Sequence, residues 1–295
     1  MTARIISGTE IARQITEEVR REVEDLKNIH GVTPGLATVL VGEDPASQVY
    51  VSSKVKMCQN LGIYSERIDL PANISEAKLL EVVMGLNNNP NSHGILVQVP
   101  LPKHIDEGRI LFTIDPAKDV DGFHPVNVGR MVIGEPGFLP CTPHGIQVLL
   151  ERSGINTEGA EVVVVGRSNI VGKPIANILL QKTRGANATV TICHSATIDI
   201  ASHTRRADIL IAAIGKPRYI TADMVKEGVV VIDVGTNDVG RTPQGKRSLA
   251  GDVDFDTVKE KASAITPVPG GVGPMTIVML MSNTARAARM AAGLA

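Results

Sequence analysis

Residues 162–180 run Val-Val-Val-Val-Gly-Arg-Ser-Asn-Ile-Val-Gly-Lys-Pro and continue into an apolar helical pattern, and they leave few folds open. Four β-branched residues in succession, Val162–Val165, suit a strand buried on both faces, and such strands belong to parallel sheets covered by helices. Gly166 ends the run. Ile175, Ile178 and Leu179 then recur at helical spacing, with Pro174 near the first turn. A strand, a glycine turn and a helix start aim free N–H groups and the helix dipole at one point, which makes a site for an anion. The turn is not the dinucleotide fingerprint G-x-G-x-x-G, since it holds only Gly166 and Gly172. Any tight strand-to-helix turn would share that much. Arg167 and Ser168 favour a phosphate, because guanidinium and hydroxyl donors suit phosphate oxygens.

The same alternation runs through the chain. Ser7 and Glu10 have the spacing of a capping box, and Ile11, Ile15, Val19, Val23 and Leu26 follow on one helical face. Strands are expected at Leu36–Val41, Ile63–Leu70 and Gly94–Val99, with helices from about Ala46 to Leu61 and from Glu76 to Leu86. This is β-α-β-α-β, the pattern of a parallel sheet. Asp115–Pro143 is rich in Gly, Pro and Asp and reads as a long irregular, functional segment. Thr142 before Pro143 reads as an N-cap, with a helix over His144–Arg152 leading into a second domain. There the strands Val162–Val165, Ala188–Cys193, Ile209–Ile214 and Val229–Val234 are expected with helices between them. The loops at 215–217 and 234–237 then fall at strand C-terminal ends, where α/β sheets take ligands. Asn237–Gly251, with Gly240, Pro243 and Gly245, suits a loop or hairpin, and residues 265–276 a second irregular segment. An Ala-rich apolar helix over about Met275–Ala292 is expected to cross back to the first domain.

A chain of 295 residues, 43% hydrophobic, can bury the cores of two domains. A net charge of −1 without a basic block argues against nucleic acid as partner. No apolar run approaches the ~20 residues of a membrane helix, and the first residues lack a signal-peptide pattern. Cys58, Cys141 and Cys193 are odd in number and lack metal-site spacing, so the expectation is reduced thiols in a cytoplasmic protein with no metal.

Tyr50 and Lys54 stand four apart on the predicted second helix and share a face. Lysine serves in proton transfer when burial or a neighbour lowers its pKa. A solvated lysine beside an ordinary tyrosine has the same spacing. Gln98 lies in an apolar strand, where its amide needs a partner, catalytic or merely structural. Asp119 and Asp121 flank one valine; they point the same way if extended, or cap or bind cations if the chain turns. His194-Ser195 follows the second strand of the later domain, where an acid would hold the ribose 2′-hydroxyl of NAD. With no acid there and Arg167 at hand, a 2′-phosphate, hence NADP, is favoured, unless His194 is a plain surface residue.

Six segments carry a resemblance that spans nearly the whole chain: Tyr50-Val-Ser-Ser-Lys54, Gly94–Pro102, Lys118–His124, Pro140-Cys-Thr-Pro143, Gly166–Gly172 and Thr266–Thr276. Together they resemble the bifunctional methylenetetrahydrofolate dehydrogenase/methenyltetrahydrofolate cyclohydrolase family. The resemblance implies two α/β domains with a cleft between. Residues 1–141, joined by the C-terminal helix 275–295, would be a folate-binding catalytic domain, and 142–274 a Rossmann-like NADP domain. It implies Lys54 as the catalytic lysine, Tyr50 as its partner near the folate, Gln98 holding the lysine and Asp121 binding the pterin edge. Pro269 and Gly270 would also contact substrate. Gly166, Arg167, Ser168, Ser195 and Thr236 would contact NADP, although the family commonly has isoleucine where this chain has Thr236. The implied reaction oxidises 5,10-methylenetetrahydrofolate with NADP⁺ and hydrolyses the 5,10-methenyl product to 10-formyltetrahydrofolate. A homodimer through the C-terminal domain is expected. The rivals are a monofunctional NAD-dependent dehydrogenase and a non-catalytic nucleotide sensor.

Overall fold

The computed structural model describes residues 2–241 and 247–294. Its elements divide into two compact units, residues 13–141 with 277–295 and residues 1–12 with 142–276. The chain opens with strand β1, Arg4–Ile5, and helix α1, Gly8–His30. The Ser7 hydroxyl accepts the Glu10 N–H at 3.2 Å, and Ile11, Ile15, Val19, Val23 and Leu26 are all buried. β1 pairs with a strand of the later sheet, so the first twelve residues group with the second unit and not with the N-terminal domain of the sequence reading. Two residues are too few to show any hydrophobic period, and the sequence carries no signal for that pairing.

The first unit holds β2 (Gly35–Val41), α2 (Pro45–Leu61), β3 (Tyr64–Leu70), α3 (Glu76–Asn88), β4 (Gly94–Val97), α4 (Glu107–Leu111) and α5 (Pro125–Ile133). The three strands form a parallel sheet in the order β3-β2-β4. Every residue of the central strand β2 is buried, Thr38 among its otherwise apolar side chains included. α2 begins at Asp44, whose carboxylate accepts Ser47 N at 2.8 Å ahead of Pro45, and ends at Gly62 with φ +73°. Leu79, Val83 and Leu86 of α3 pack on Ala37, Val39, Ile95 and Val97. Each of these larger side chains contributes roughly 1.5–3 kcal/mol by leaving water.

Two boundaries differ from expectation here. β4 stops at Val97, so Gln98 sits just past the strand, its N–H still donating to Val39 O at 2.8 Å. The segment 115–143 is not irregular throughout, since it contains α5. That helix is capped by His124 Nδ1 accepting Val126 N, begins at Pro125 and stops at Gly134 with φ +78°. Both end signals are in the sequence, but the Gly and Pro content masked them.

The second unit follows with α6 (Cys141–Arg152), β5 (Glu161–Val165), α7 (Gly172–Leu179), β6 (Thr189–Cys193), α8 (Ile200–Thr204), β7 (Ile209–Ala212), β8 (Val230–Asp233), β9 (Asn237–Arg241), β10 (Arg247–Ala250), α9 (Phe255–Val258), β11 (Ala264–Ile265) and α10 (Val272–Ala291). Thr142 lies inside the first turn of α6 and is not its N-cap; its hydroxyl meets that of Thr276 at 2.8 Å. The main sheet is parallel in the order β1-β11-β8-β7-β5-β6. Val162–Val165 of β5, between β7 and the edge strand β6, are wholly buried. The expected helix between β7 and β8 is replaced by a single 3-10 turn, Ala222–Met224. β9 and β10 form an antiparallel hairpin, and Pro243 and Gly245 of that stretch lie outside the described residues. α10 starts at Val272, three residues before the expected Met275, and from residue 277 on it belongs to the first unit.

Candidate active site

Lys54 extends from the middle of α2 and donates from Nζ to Gln98 Oε1 at 3.1 Å. Gln98 is fixed in turn by donating from Nε2 to Val99 O at 2.8 Å. Its amide thus turns its oxygen toward the lysine. Burial lowers the Lys54 pKa, while the negative field of Asp121 pushes it back up. Burial likewise raises the Asp121 pKa against the pull of Lys54. Burial thus favours the neutral form of each group, against the attraction between their charges. Tyr50 lies one turn before Lys54 and is 47% exposed.

The two residues before Asp121 are anchored. Asp119 is buried and does not point with it; its carboxylate folds back to accept Gly122 N and Phe123 N, both at 3.2 Å, and His124 N and Asn127 Nδ2, both at 2.8 Å. Burial lifts its pKa to about 6 against those donors. Above the loop, Asn283 of α10 donates to Val120 O at 2.8 Å, and the Cys141 thiol donates to the same oxygen at 3.3 Å. Burial and the Asp121 carboxylate raise the Cys141 pKa well above its ordinary value, so it is a thiol and not a nucleophilic thiolate. Sequence reasoning missed Cys141 and Asn283 as parts of this group. Both sit within apolar helical patterns, and only the fold brings them to Val120.

The second candidate region is the C-terminal edge of the six-stranded sheet. β6 and β7 lie on opposite sides of β5, so the strand order reverses at β5/β7, the place where open α/β sheets bind nucleotides. Gly166, directly after β5, has φ +137°, and a Cβ there would lie 2.1 Å from Ala213 O. A Cβ on Gly172 would lie 2.2 Å from Gly166 O. Only glycine permits this tight turn from strand to helix. Arg167 and Ser168 are exposed on it, and the Ser168 hydroxyl oxygen accepts Val171 N at 3.1 Å and Gly172 N at 3.3 Å, leaving its proton to donate outward. Ser195 is exposed beyond β6, where the backbone turns through His194 N donating to Thr197 Oγ1 at 2.9 Å. Thr236 is exposed in the loop after β8. Pro269 and Gly270 belong to this unit too, and Gly270 O accepts Thr9 N at 3.0 Å.

Known proteins match this arrangement over its full length. The model of the catalytic domain of tetrahydrofolate dehydrogenase/cyclohydrolase matches residues 6–121, and that of its NAD(P)-binding domain matches residues 140–292. Bifunctional protein FolD of Dehalococcoides mccartyi (strain CBDB1) is 67% identical over 294 residues, which cover 100% of this chain and 99% of the relative. The crystal structure of the bifunctional enzyme FolD, methylenetetrahydrofolate dehydrogenase/cyclohydrolase, from Campylobacter jejuni shares 47% identity at a TM-score of 0.92, covering 98% of this chain and 99% of that one. The Trypanosoma brucei methylenetetrahydrofolate dehydrogenase-cyclohydrolase, solved with NADP cofactor and an inhibitor, shares 40% identity at a TM-score of 0.92, with 98% of each chain covered. With both of its domains matched and two thirds of its residues identical to a relative of equal length, the chain belongs to the tetrahydrofolate dehydrogenase/cyclohydrolase family.

Proposed function

We propose that this chain oxidises 5,10-methylenetetrahydrofolate with NADP⁺ and hydrolyses the resulting 5,10-methenyl cation to 10-formyltetrahydrofolate, with Lys54 as the group that moves protons. One observation carries the second half: an amine of lowered pKa, oriented by Gln98 and flanked by Asp121. A sensor would have no use for such a group, and a monofunctional dehydrogenase would need it only for positioning.

NADP⁺, when bound, supplies the hydride acceptor. The glycine turn at Gly166 admits a phosphate to backbone distance, and Arg167 and Ser168 supply donors beside it. From Cys193 to Ile198 no acid follows β6, so nothing there repels a 2′-phosphate, and Ser195 offers a donor. These residues fit NADP. The dehydrogenase step removes no proton from the substrate, so the chain's task in it is orientation. Asp121 would accept hydrogen bonds from the pterin edge, Tyr50 would lie against the ring, and Pro269 and Gly270 would complete the substrate contacts.

In the hydrolysis, water attacks the electrophilic methenyl carbon. Lys54, as free amine, takes a proton from that water as the C–O bond forms. The bond from this carbon to N5 then breaks, N5 takes the proton back from the lysine, and the added hydroxyl loses its own proton to become the formyl carbonyl. Water is added overall and one proton is released, since a cation becomes a neutral formamide. Gln98 holds the amine in place throughout. A solution assay tests the reading directly. NADPH formation should follow added methylenetetrahydrofolate and greatly exceed NADH formation with NAD⁺. Equal use of both cofactors would contradict the NADP assignment.

The chain is further proposed to act as a homodimer through the NADP-binding unit. Among the described residues β6 is an edge strand, paired only with β5, and its Ile192 is 39% exposed. An open edge with an exposed apolar side chain is suited to pairing with a second copy.

A further inference from the structure

The loops after β7 and β8, which carry Gly215 and Thr236, lie at the strand ends where the proposed NADP site is built. Both are tied to one buried carboxylate, that of Asp252, which is 0% exposed. Asp252 Oδ2 accepts Ile214 N at 2.7 Å and Gly215 N at 2.9 Å. Its Oδ1 accepts Asn237 Nδ2 at 2.9 Å. Asp252 is itself fixed by a second buried carboxylate. Asp233 Oδ1 accepts Asp252 N and Gly235 N, both at 2.9 Å, and Asp233 Oδ2 accepts Val253 N at 3.0 Å. The packing leaves no slack. A Cβ on Gly235 would lie 2.4 Å from Asp252 Oδ1, and one on Gly251 would fall on the Asp233 carboxylate.

From this geometry we infer that Asp252 is a positioning residue for the dehydrogenase reaction: it sets two cofactor-side loops in register and touches neither cofactor nor substrate. The inference rests on the NADP reading above. A carboxylate suits the task because it offers lone pairs to three donors at once and donates nothing back. Its removal would take the acceptor from Ile214 N and Gly215 N and leave Asn237 Nδ2 only its weaker bond to Ala250 O at 3.2 Å. The loops would then shift to find partners. Misplacement of about 1 Å in a hydride-transfer site lowers the rate on the order of 10²-fold. The hydrolysis at Lys54 requires no NADP, so the second activity serves as an internal control for folding.

The test compares wild type, Asp252→Ala, Asp252→Asn and the double variant Asp252→Asn/Asn237→Asp. Each is measured for NADP⁺ binding by titration calorimetry, for dehydrogenase kcat and KM, and for methenyltetrahydrofolate hydrolysis. Asp252→Ala should lose on the order of 10²-fold in dehydrogenase kcat/KM for NADP⁺ while hydrolysis is retained. In Asp252→Asn the amide oxygen still accepts from Ile214 and Gly215, but its nitrogen faces the Asn237 nitrogen. Adding Asn237→Asp gives that nitrogen an acceptor, with loss of the longer bond to Ala250 O, and should restore part of the loss. Normal NADP⁺ affinity and turnover in all three variants would overturn the inference. A parallel loss of both activities in all three, the double variant included, would also overturn it by reducing Asp252 to a stability role. A wild-type protein that fails to bind NADP⁺ would overturn the functional reading itself, and the inference with it.

Discussion

Replacing Lys54 by Met keeps the length of the side chain and removes the amine. The structure sets the size of the effect. Lys54 Nζ is 3.1 Å from Gln98 Oε1, and burial moves its pKa down from 10.5. Each unit of that shift raises the fraction of free amine at neutral pH about tenfold. A positioned general base contributes ~10²–10⁴-fold, or about 3–5 kcal/mol of barrier. Hydrolysis of methenyltetrahydrofolate by Lys54→Met should therefore fall at least ~10²-fold. Dehydrogenase activity should fall less, because hydride transfer asks only for placement. Wild-type hydrolysis should rise with pH until the lowered lysine pKa is passed, and the variant's small excess over the blank should lack that rise. Stability carries the same signature. With the folded pKa below the unfolded one, the unfolded chain binds more protons between the two values, so wild type gains stability as pH rises through that window. Lys54→Met lacks the gain. The assay is loss of methenyl absorbance against an uncatalysed blank, with NADPH formation measured on the same preparation. A Lys54→Met protein that hydrolyses at the wild-type rate would refute the reasoning and leave Lys54 a helix residue without a task.

Other outcomes are also expected. Arg167→Ala should raise KM for NADP⁺ on the order of 10–10²-fold, the scale of a charge-assisted hydrogen bond, and that for NAD⁺ far less; equal losses would place Arg167 on the pyrophosphate. Light scattering should give twice the 31.3 kDa chain mass, and Ile192→Glu should shift it toward a single chain; a monomeric wild type at micromolar concentration would exclude the dimer. Burial raises the Asp233 pKa from 3.8 to about 7, so between those values the folded state binds a proton that the unfolded state does not. Stability should fall with rising pH across that window, by up to roughly 1.4 kcal/mol per unit, and Asp233→Asn should remove this slope. Parallel melting curves from pH ~5 to ~8 for the two proteins would show that Asp233 does not titrate there.

Much of this fold can be read from local pattern. Val162–Val165, Leu36–Val41 and the Ile11–Leu26 helix face each carry their own period, and each forms the element its period predicts. The features that escaped are those set by distant partners. β1 exists only because Ile265 lies beside Ile5. α5 has both of its end signals, yet Gly and Pro outweighed them in a segment that reads as irregular. At the site, the Tyr50–Lys54 spacing is visible because a helix turn relates neighbours in sequence. The Lys54–Gln98 bond joins residues 44 apart, and Asn283 reaches Val120 from 163 residues away. No local rule relates such positions. The role of Asp119 was open between extended and turned backbone, and four hydrogen bonds decide it in favour of the turn.

The central claim is that one chain carries out both steps, with the second catalysed. Wild-type protein incubated with methylenetetrahydrofolate and NADP⁺ should yield NADPH and 10-formyltetrahydrofolate in equal amounts, with formation of the formyl product well above the uncatalysed rate. NADPH formed in step with accumulating methenyltetrahydrofolate, decaying only at the rate of the blank, would contradict it.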